Sequence, residues 1–250
     1  VLLTDLDQAT LQQLSSKRSG AIVAIGSEAA AKLQSSLAPA APLTYCMVAN
    51  PKASGLAAGR PTQGVSTDIP ASDQFAMIKK ALPAVRKIGV MYKASSPRSA
   101  ELLAEFRAAA AGTPIEAVDI DAAGSPSDAI HRLLQAKPDI IWTAADSSVY
   151  NAGTIKALLK ESLSASIPVF GFSSQCVRAG ALFGLTVKPE EQAAQAAQIA
   201  RRFIASPGLT TPSTIVPPKF RLAINSVVAN RLNIRIPSEL LASADETFGE

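Results

Sequence analysis

Five short apolar runs along the chain each end beside small polar residues. The runs cover residues 21–25, 43–48, 88–92, 139–145 and 168–172, and Ser, Asp or Asn lies within three residues of each end. Stretches with helical spacing of apolar residues follow them. Short apolar strands that alternate with helices are typical of parallel sheets covered by helices on both faces. The pattern predicts an α/β protein with doubly wound parallel sheets.

Helix start and stop signals support this alternation. Ser96 and Pro97 form an N-cap and a helix-entry proline, and Gly112 ends the amphipathic run that follows them. Two acidic residues follow Pro189, where they suit the positive end of a helix dipole. The remaining helices are predicted around Phe75, from Pro126, from Ser147, from Pro189 and after Pro237.

Two segments, residues 60–70 and 184–189, have the composition of crossings between domains. They predict two Rossmann-like lobes with a ligand cleft between them. Lobe I comprises residues 1–68 and 190–217, and lobe II comprises residues 69–189. Residues 218–250 hold a strand and a final helix, and the sequence leaves their lobe open. The strand is predicted to be half-buried because Phe220, Leu222 and Ile224 alternate with polar residues.

Charge and composition exclude several classes of protein. The 24 Lys and Arg residues exceed the 20 Asp and Glu residues by only four, and no dense basic run favours a nucleic-acid partner. No run approaches the roughly 20 apolar residues that span a bilayer. No leader pattern opens the sequence, so the protein is either cytosolic or has lost its leader. Cys46 and Cys176 are predicted to be buried, unpaired thiols.

The usual signs of catalysis are missing from the sequence. The single histidine, His131, lies within a predicted helix beside Arg132, away from any strand end. There is no Gly-x-Ser-x-Gly elbow, no glycine-rich phosphate loop and no His/Cys cluster for a metal ion. We therefore predict a protein that is not an enzyme and that uses no cofactor or metal.

Polar and aromatic side chains follow the predicted strands, at the edge where ligands bind in α/β sheets. Ser27 either caps the next helix or receives an anion such as a carboxylate. Asp146 either caps a helix or binds an ammonium group or a sugar hydroxyl. The candidate ligand-binding residues are Ser27, Asn50, Ser66, Thr67, Tyr92, Ser95, Ser96, Ser99, Asp146, Ser147, Phe172 and Ser173.

An ordered set of motifs resembles the solute-binding component of ABC importers. The resemblance is to type I periplasmic binding proteins, in the branch that includes tryptophan- and tyrosine-binding members. It implies ligand contacts at Ser27, Ser66, Ser95, Ser99, Asp146 and the region of Ser173. The matching motifs span essentially the whole chain, at residues 22–30, 49–51, 64–66, 82–92, 167–169, 178–181, 222–225, 236–241 and 244–245.

The chain also departs from the pattern of that family. Ser27, Asn50 and Arg98 stand where Thr, Asp and Asn are usual, and residues 186–189 replace an expected Asp-Tyr segment. Residues 1–6 resemble the family's second strand, so the resemblance predicts that the family's first strand–helix unit is missing from this sequence, either through truncation or as a true variant. These differences leave the identity of the ligand open.

The resemblance implies an extracytoplasmic monomer, periplasmic or membrane-anchored, that delivers a small polar ligand such as an amino acid to an ABC permease. Two alternatives come from other classes of protein. The effector-binding half of a transcription regulator shares the same fold. An α/β enzyme that uses Asp68 or Asp146 as a base is the third possibility, but the sequence offers no second catalytic partner.

Overall fold

The computed structural model describes residues 7–16, 20–38, 41–52, 55–56, 62–206 and 214–249. The strand expected at residues 1–6 lies outside this part. The helices of the described residues are α1 Gln8–Ser16, α2 Ser27–Ser36, α3 Ala71–Ala81, α4 Pro97–Ala110, α5 Pro126–Gln135, α6 Ala152–Ser164, α7 Ser174–Ala179, α8 Pro189–Ala205, α9 Ser226–Arg231 and α10 Ser238–Ser243. The strands are β1 Ile22–Ile25, β2 Leu43–Val48, β3 Thr62–Ser66, β4 Lys87–Tyr92, β5 Glu116–Asp121, β6 Ile140–Trp142, β7 Val169–Gly171, β8 Phe183–Thr186, β9 Thr214–Val216, β10 Arg221–Asn225 and β11 Glu246–Phe248.

The chain divides into two units, each with its own sheet. Unit 1 consists of Val1–Ile69 and Val187–Lys219, and unit 2 consists of Pro70–Thr186 and Phe220–Glu250. The chain therefore passes from one unit to the other three times. Residues 220–249, whose lobe the sequence left open, are part of unit 2 because β10 pairs with β8.

Unit 1 has a parallel sheet in the order β1-β2-β3-β9. Helix α2 packs on one face of this sheet, over a core that includes Leu33, Leu43 and Tyr45. Helix α8 contacts β2 and β3, and Val65 joins Phe203 of α8 in a second cluster. Because successive side chains of a strand point to opposite faces, these two clusters lie on opposite faces of the sheet.

Unit 2 has a seven-stranded sheet in the order β11-β10-β8-β7-β6-β4-β5. The strands from β4 to β8 are parallel, whereas β10 runs antiparallel to β8. On one face Trp142 packs against Phe75 and Phe106 of helices α3 and α4. Ile141, the neighbour of Trp142, joins the opposite core beneath α5, α6 and α7. Both faces of the sheet are covered, as the near-continuous apolar strands predict.

The structure confirms several predictions made from single residues. Trp142 is buried in the sheet core, at 1% exposure, where its indole N–H donates to Gln74 Oε1 at 2.7 Å. Cys46 and Cys176 are both buried and free. His131 is exposed on helix α5, where its ring lies 2.9 Å from the Gln135 amide.

Other local predictions were wrong. Strands β3 and β8 lie in segments interpreted as crossings, and β5 was not predicted at all. The helix expected from Ser147 begins at Ala152, because residues 147–149 form a separate turn. Strand β10 is buried on both faces, rather than half-buried as predicted: it lies inside the sheet between β8 and β11, and helix α7 packs against it. Phe220 precedes this strand and is exposed.

Candidate functional site

The carboxyl ends of β2 and β3 bring three candidate residues of unit 1 together. The Ser66 hydroxyl accepts a hydrogen bond from the Asp68 N–H at 2.9 Å, and Asp68 Oδ2 accepts one from the Asn50 N–H at 2.8 Å. The Thr67 N–H donates to the Val48 carbonyl at 2.9 Å. The loops after two neighbouring strands are thereby joined into one polar edge.

Ser27 lies at the same edge of this sheet, because β1 runs parallel to β2. The N-cap of α2 is Gly26, whose φ of 91° is a conformation that favours glycine, and no side chain caps the helix. The exposed Ser27 hydroxyl forms no hydrogen bond with the described residues. The helix-capping alternative for Ser27 is therefore not what the structure shows, and its hydroxyl is available to a ligand.

A buried glutamine that sequence reasoning missed supports this edge from beneath. Gln192 of α8 is completely buried; its Oε1 accepts from the Met47 N–H at 3.1 Å, and its Nε2 donates to the Ser66 carbonyl at 2.8 Å. Met47 has a φ of 56°, and the register of β2 against β3 shifts between Tyr45 and Val48. The Gln192 amide therefore stabilises both the irregular backbone of β2 at Met47 and the end of β3. The sequence signal was only an amide on the inner face of an amphipathic helix.

In unit 2, four candidate residues surround the end of β4 and the start of α4. Ser96 is the N-cap of α4, and its hydroxyl accepts from the Ser99 N–H at 3.3 Å. The buried Ser99 hydroxyl accepts from the Lys93 N–H at 2.8 Å. Ser95 is exposed and forms no hydrogen bond with the described residues, while Tyr92 is half-buried. Two of the four side chains therefore stabilise the turn, and Ser95 and Tyr92 are the accessible ones.

Asp146 follows β6 and is 6% exposed. Its Oδ1 accepts from the Ser148 N–H at 3.0 Å and from the Ser148 hydroxyl at 2.6 Å. Helix α6 is capped by Asn151, so Asp146 stabilises the preceding turn instead of the helix. Oδ2 accepts no hydrogen bond from the described residues, which leaves it free for a ligand. Ser147 beside it is exposed.

The third group of unit 2 lies after β7. Ser173 is the N-cap of α7, and its hydroxyl accepts from the Cys176 N–H at 3.2 Å. The half-buried Phe172 ring lies 6.5 Å from the ring of Tyr150. Ser173 therefore caps helix α7, a role that its position after a strand did not distinguish from ligand binding.

Tyr150 is a second residue that sequence reasoning missed. Its hydroxyl donates to the Met91 carbonyl and accepts from the Met91 N–H, both at 3.0 Å, and so ties the loop after β6 to β4. Burial raises the pKa of Tyr150, and the nearby Asp146 carboxylate raises it further. The phenol therefore stays neutral near pH 7 and fixes the loop that carries Asp146.

The order of strands decides which candidates meet. Strands β7, β6 and β4 are parallel neighbours, with β6 in the middle. Phe172 follows β7, Asp146 follows β6 and Ser95 follows β4. These side chains share one edge of the unit 2 sheet, and Ser27, Asn50, Ser66 and Thr67 share one edge of the unit 1 sheet.

In the described part of the chain no three His, Cys, Asp or Glu side chains lie close enough to hold a metal ion. The described helices include none with the length and apolar character needed to cross a membrane.

Solved structures of similar fold include one from Vibrio cholerae O1 biovar El Tor, named a conserved domain protein. It is 26% identical, with a TM-score of 0.66, and the match covers 96% of this chain and 82% of that one. A Streptococcus pneumoniae ABC domain in complex with L-Trp is 22% identical, with a TM-score of 0.67 and coverage of 97% and 86%. A ligand-free, open substrate-binding protein with adhesive properties from Clostridium difficile is 18% identical, with a TM-score of 0.77 and coverage of 96% and 81%. The last two show a common fold.

No curated protein matches this sequence. The family model described as ABC transporter substrate binding protein matches residues 4–248, almost the full length of the chain. The α/β architecture and the polar strand ends agree with that description, which is one of solute binding rather than of catalysis. The chain belongs to the family of ABC transporter substrate-binding proteins.

Proposed function

We propose that this protein binds an amino acid or a closely related metabolite outside the cytoplasm and delivers it to an ABC permease. Membership of the family establishes a solute-binding role, and the proposal adds the class of solute. The observation that carries it is Asp146, a buried carboxylate at a strand end with one oxygen free of described partners.

The remaining groups at the strand ends supply the other contacts that an amino acid needs. Asp146 pairs with the ammonium group through a charge-assisted hydrogen bond. The exposed Ser95 hydroxyl, in the same unit as Asp146, binds the carboxylate. Tyr92 and Phe172 offer apolar surface to the solute's side chain. The amino acid complex of the Streptococcus pneumoniae protein supports this class of solute.

A thermal-shift screen of L-amino acids, nucleosides and sugars tests the class of solute. A solute at 100 times its Kd stabilises the folded protein by about 2.7 kcal/mol. The L-amino acids in the screen include L-tryptophan. We expect L-amino acids to raise Tm and nucleosides and sugars to leave it unchanged. A response confined to sugars or nucleosides would overturn the proposal, as would the absence of any response.

The Asp146→Asn variant tests the residue that carries the proposal. The amide oxygen still accepts from Ser148, so the Tm of the unliganded protein should stay close to that of the wild type. The Asn NH2 group takes the place of Oδ2 and cannot accept from the ammonium group, so a charge-assisted hydrogen bond worth about 1.5–3 kcal/mol is lost. Affinity for the amino acid found in the screen should therefore fall by at least tenfold in calorimetry. Asp73→Asn, on the exposed first turn of α3, is the matched control and should bind like the wild type. Equal affinity of both variants would assign Asp146 to the turn alone.

We also propose that the protein is a monomer when it binds and delivers its solute. Light scattering at micromolar concentration should give a mass near the 25.9 kDa of the chain, with and without the solute. A stable dimer in either condition would contradict that part of the proposal.

A further inference from the structure

An open groove of about 790 Å³ lies between helices α6 and α7 of unit 2. One end of the groove reaches Phe172 and Ser173 at the end of β7, and the rest runs along the two helices to Leu163 and Gly180. Most of the groove therefore lies away from the polar edge that carries Asp146. Its volume is in the range of pockets that hold small organic molecules.

The groove exists because the two helices present side chains of very different size. Ile155, Leu159 and Leu163 recur at intervals of four residues on α6 and form one apolar wall. Opposite them α7 is only six residues long and contributes Gln175, Cys176 and Ala179, followed by Gly180, so the wall near its C-terminal end consists of small residues. Small side chains facing a leucine-rich stripe leave space that no described side chain fills.

Among the described residues that line the groove, two lysines are the only charged ones. Lys156 and Lys160 are one helical turn apart on α6, and both are exposed. The described residues include no acidic partner for either ammonium group. An apolar groove with two cations on its rim is complementary to a molecule with a hydrocarbon tail and a negative head group.

We propose that this groove binds an amphipathic anion of the fatty-acid type. The hydrocarbon tail lies against Ile155, Leu159 and Leu163, and the carboxylate lies between Lys156 and Lys160. This binding activity is separate from solute delivery, and it does not need Asp146. A neutral or cationic ligand of the same length lacks the ion pairs and binds more weakly.

The probe for the experiment is dodecanoate, used below its critical micelle concentration in isothermal titration calorimetry. We expect one saturable site per chain. Decanoate, two methylenes shorter, should bind about 4- to 16-fold more weakly, because each buried CH2 contributes up to a factor of about four. Dodecan-1-ol should bind at least tenfold more weakly than dodecanoate, because it has no charge for the lysines.

Two variants locate the site. The double variant Lys156→Gln/Lys160→Gln should weaken dodecanoate binding by at least tenfold, while Lys79→Gln/Lys80→Gln, which removes two exposed lysines from α3, should leave it unchanged. Ala179→Trp should abolish binding, because the indole fills the groove from its small-residue side. Leu163→Gln, near the far end of the groove, provides a second apolar test if the tryptophan variant proves less stable.

Several results would overturn the proposal. They are the absence of saturable binding, equal affinity for dodecan-1-ol, and equal loss in both double-lysine variants. Amino acid binding, measured on the same variants, should be unchanged by Lys156→Gln/Lys160→Gln. The Asp146→Asn variant should in turn keep its affinity for dodecanoate. Failure of one site is thus distinguishable from failure of the other.

Discussion

At the scale of single residues, the candidate site shows why sequence could not separate ligand contacts from helix caps. Ser96 and Ser173 follow strands in the same way as Ser27 and Ser95, yet the first two cap helices and the last two have no described partner. Ser, Asp and Asn are preferred at N-caps because they accept hydrogen bonds from backbone N–H groups. The same oxygens bind polar solutes, so only the structure distinguishes the two roles.

The two buried tyrosines provide a prediction about stability. The Tyr45 hydroxyl is buried and has no hydrogen-bond partner among the described residues, whereas the Tyr150 hydroxyl has two bonds to Met91. Tyr45→Phe removes an unsatisfied polar group and should raise the free energy of unfolding by about 1 kcal/mol. Tyr150→Phe should lower it by about 1–3 kcal/mol. Urea unfolding at pH 7 measures both changes.

Alkaline titration checks the same interpretation of Tyr45. Burial raises the pKa of Tyr45 from its usual 10.0 to about 12. The folded state therefore holds this proton more tightly than the unfolded state, so its contribution to stability is complete below pH 10 and is lost as the pH rises through 12. Tyr45→Phe should reduce the loss of stability over this range. A variant that is destabilised at pH 7, or that loses stability as steeply as the wild type, would contradict the assignment.

At the scale of elements, local signals predicted helices better than strands. Helices α4, α5 and α8 start at the prolines that mark them, because caps and helix-entry prolines act within one turn of the chain. Strand β3 has the polar sequence Thr-Gln-Gly-Val-Ser and was interpreted as part of a crossing. It is buried because β2 and β9 pair with its two edges and helix α8 packs against it. That burial depends on distant segments, which a local pattern does not contain.

Helix α8 carries a prediction about the strand ends of unit 1. Gln192→Leu leaves the partly buried Met47 N–H and the buried Ser66 carbonyl without their partner, and each lost hydrogen bond should cost about 1–3 kcal/mol. Gln195→Leu, three residues along the same helix, removes bonds to Pro217 and Lys219 that are exposed to solvent. We expect that control to cost less than about 1 kcal/mol, as measured by urea unfolding. Equal costs would show that Gln192 has no special role.

At the scale of the whole molecule, the repeated alternation of strands and helices was enough to predict the fold class. It was not enough to place the end of the chain. Strand β10 is antiparallel to β8, with Arg221 opposite Thr186 and Ile224 opposite Phe183. No local pattern states which strand will be the partner, so residues 218–250 remained unassigned until the pairing was visible.

This pairing makes the C-terminal segment part of the fold of unit 2. Leu222, Ala223 and Ile224 are buried, and the Asn225 side chain donates to the Val177 carbonyl at 2.9 Å while it caps α9. A chain that ends after Lys219 leaves β8 as an unpaired, apolar edge, which favours aggregation. We expect that chain to lose the unfolding transition of unit 2 in scanning calorimetry.

A chain that ends after Ala244 is the matched control, because it keeps β10 and removes the edge strand β11 with its contacts, among them the ion pair between Asp245 and Arg221, the hydrogen bond between Ser174 and Glu246 and the packing of Arg178 on Phe248. That ion pair is partly exposed and contributes about 0.2–1 kcal/mol. The longer chain should therefore stay folded with a modestly lower Tm, since β10 still covers β8. If the chain ending after Lys219 kept a cooperative transition for unit 2, β10 would be an accessory strand, and the parallel strands β4–β8 would be sufficient for folding.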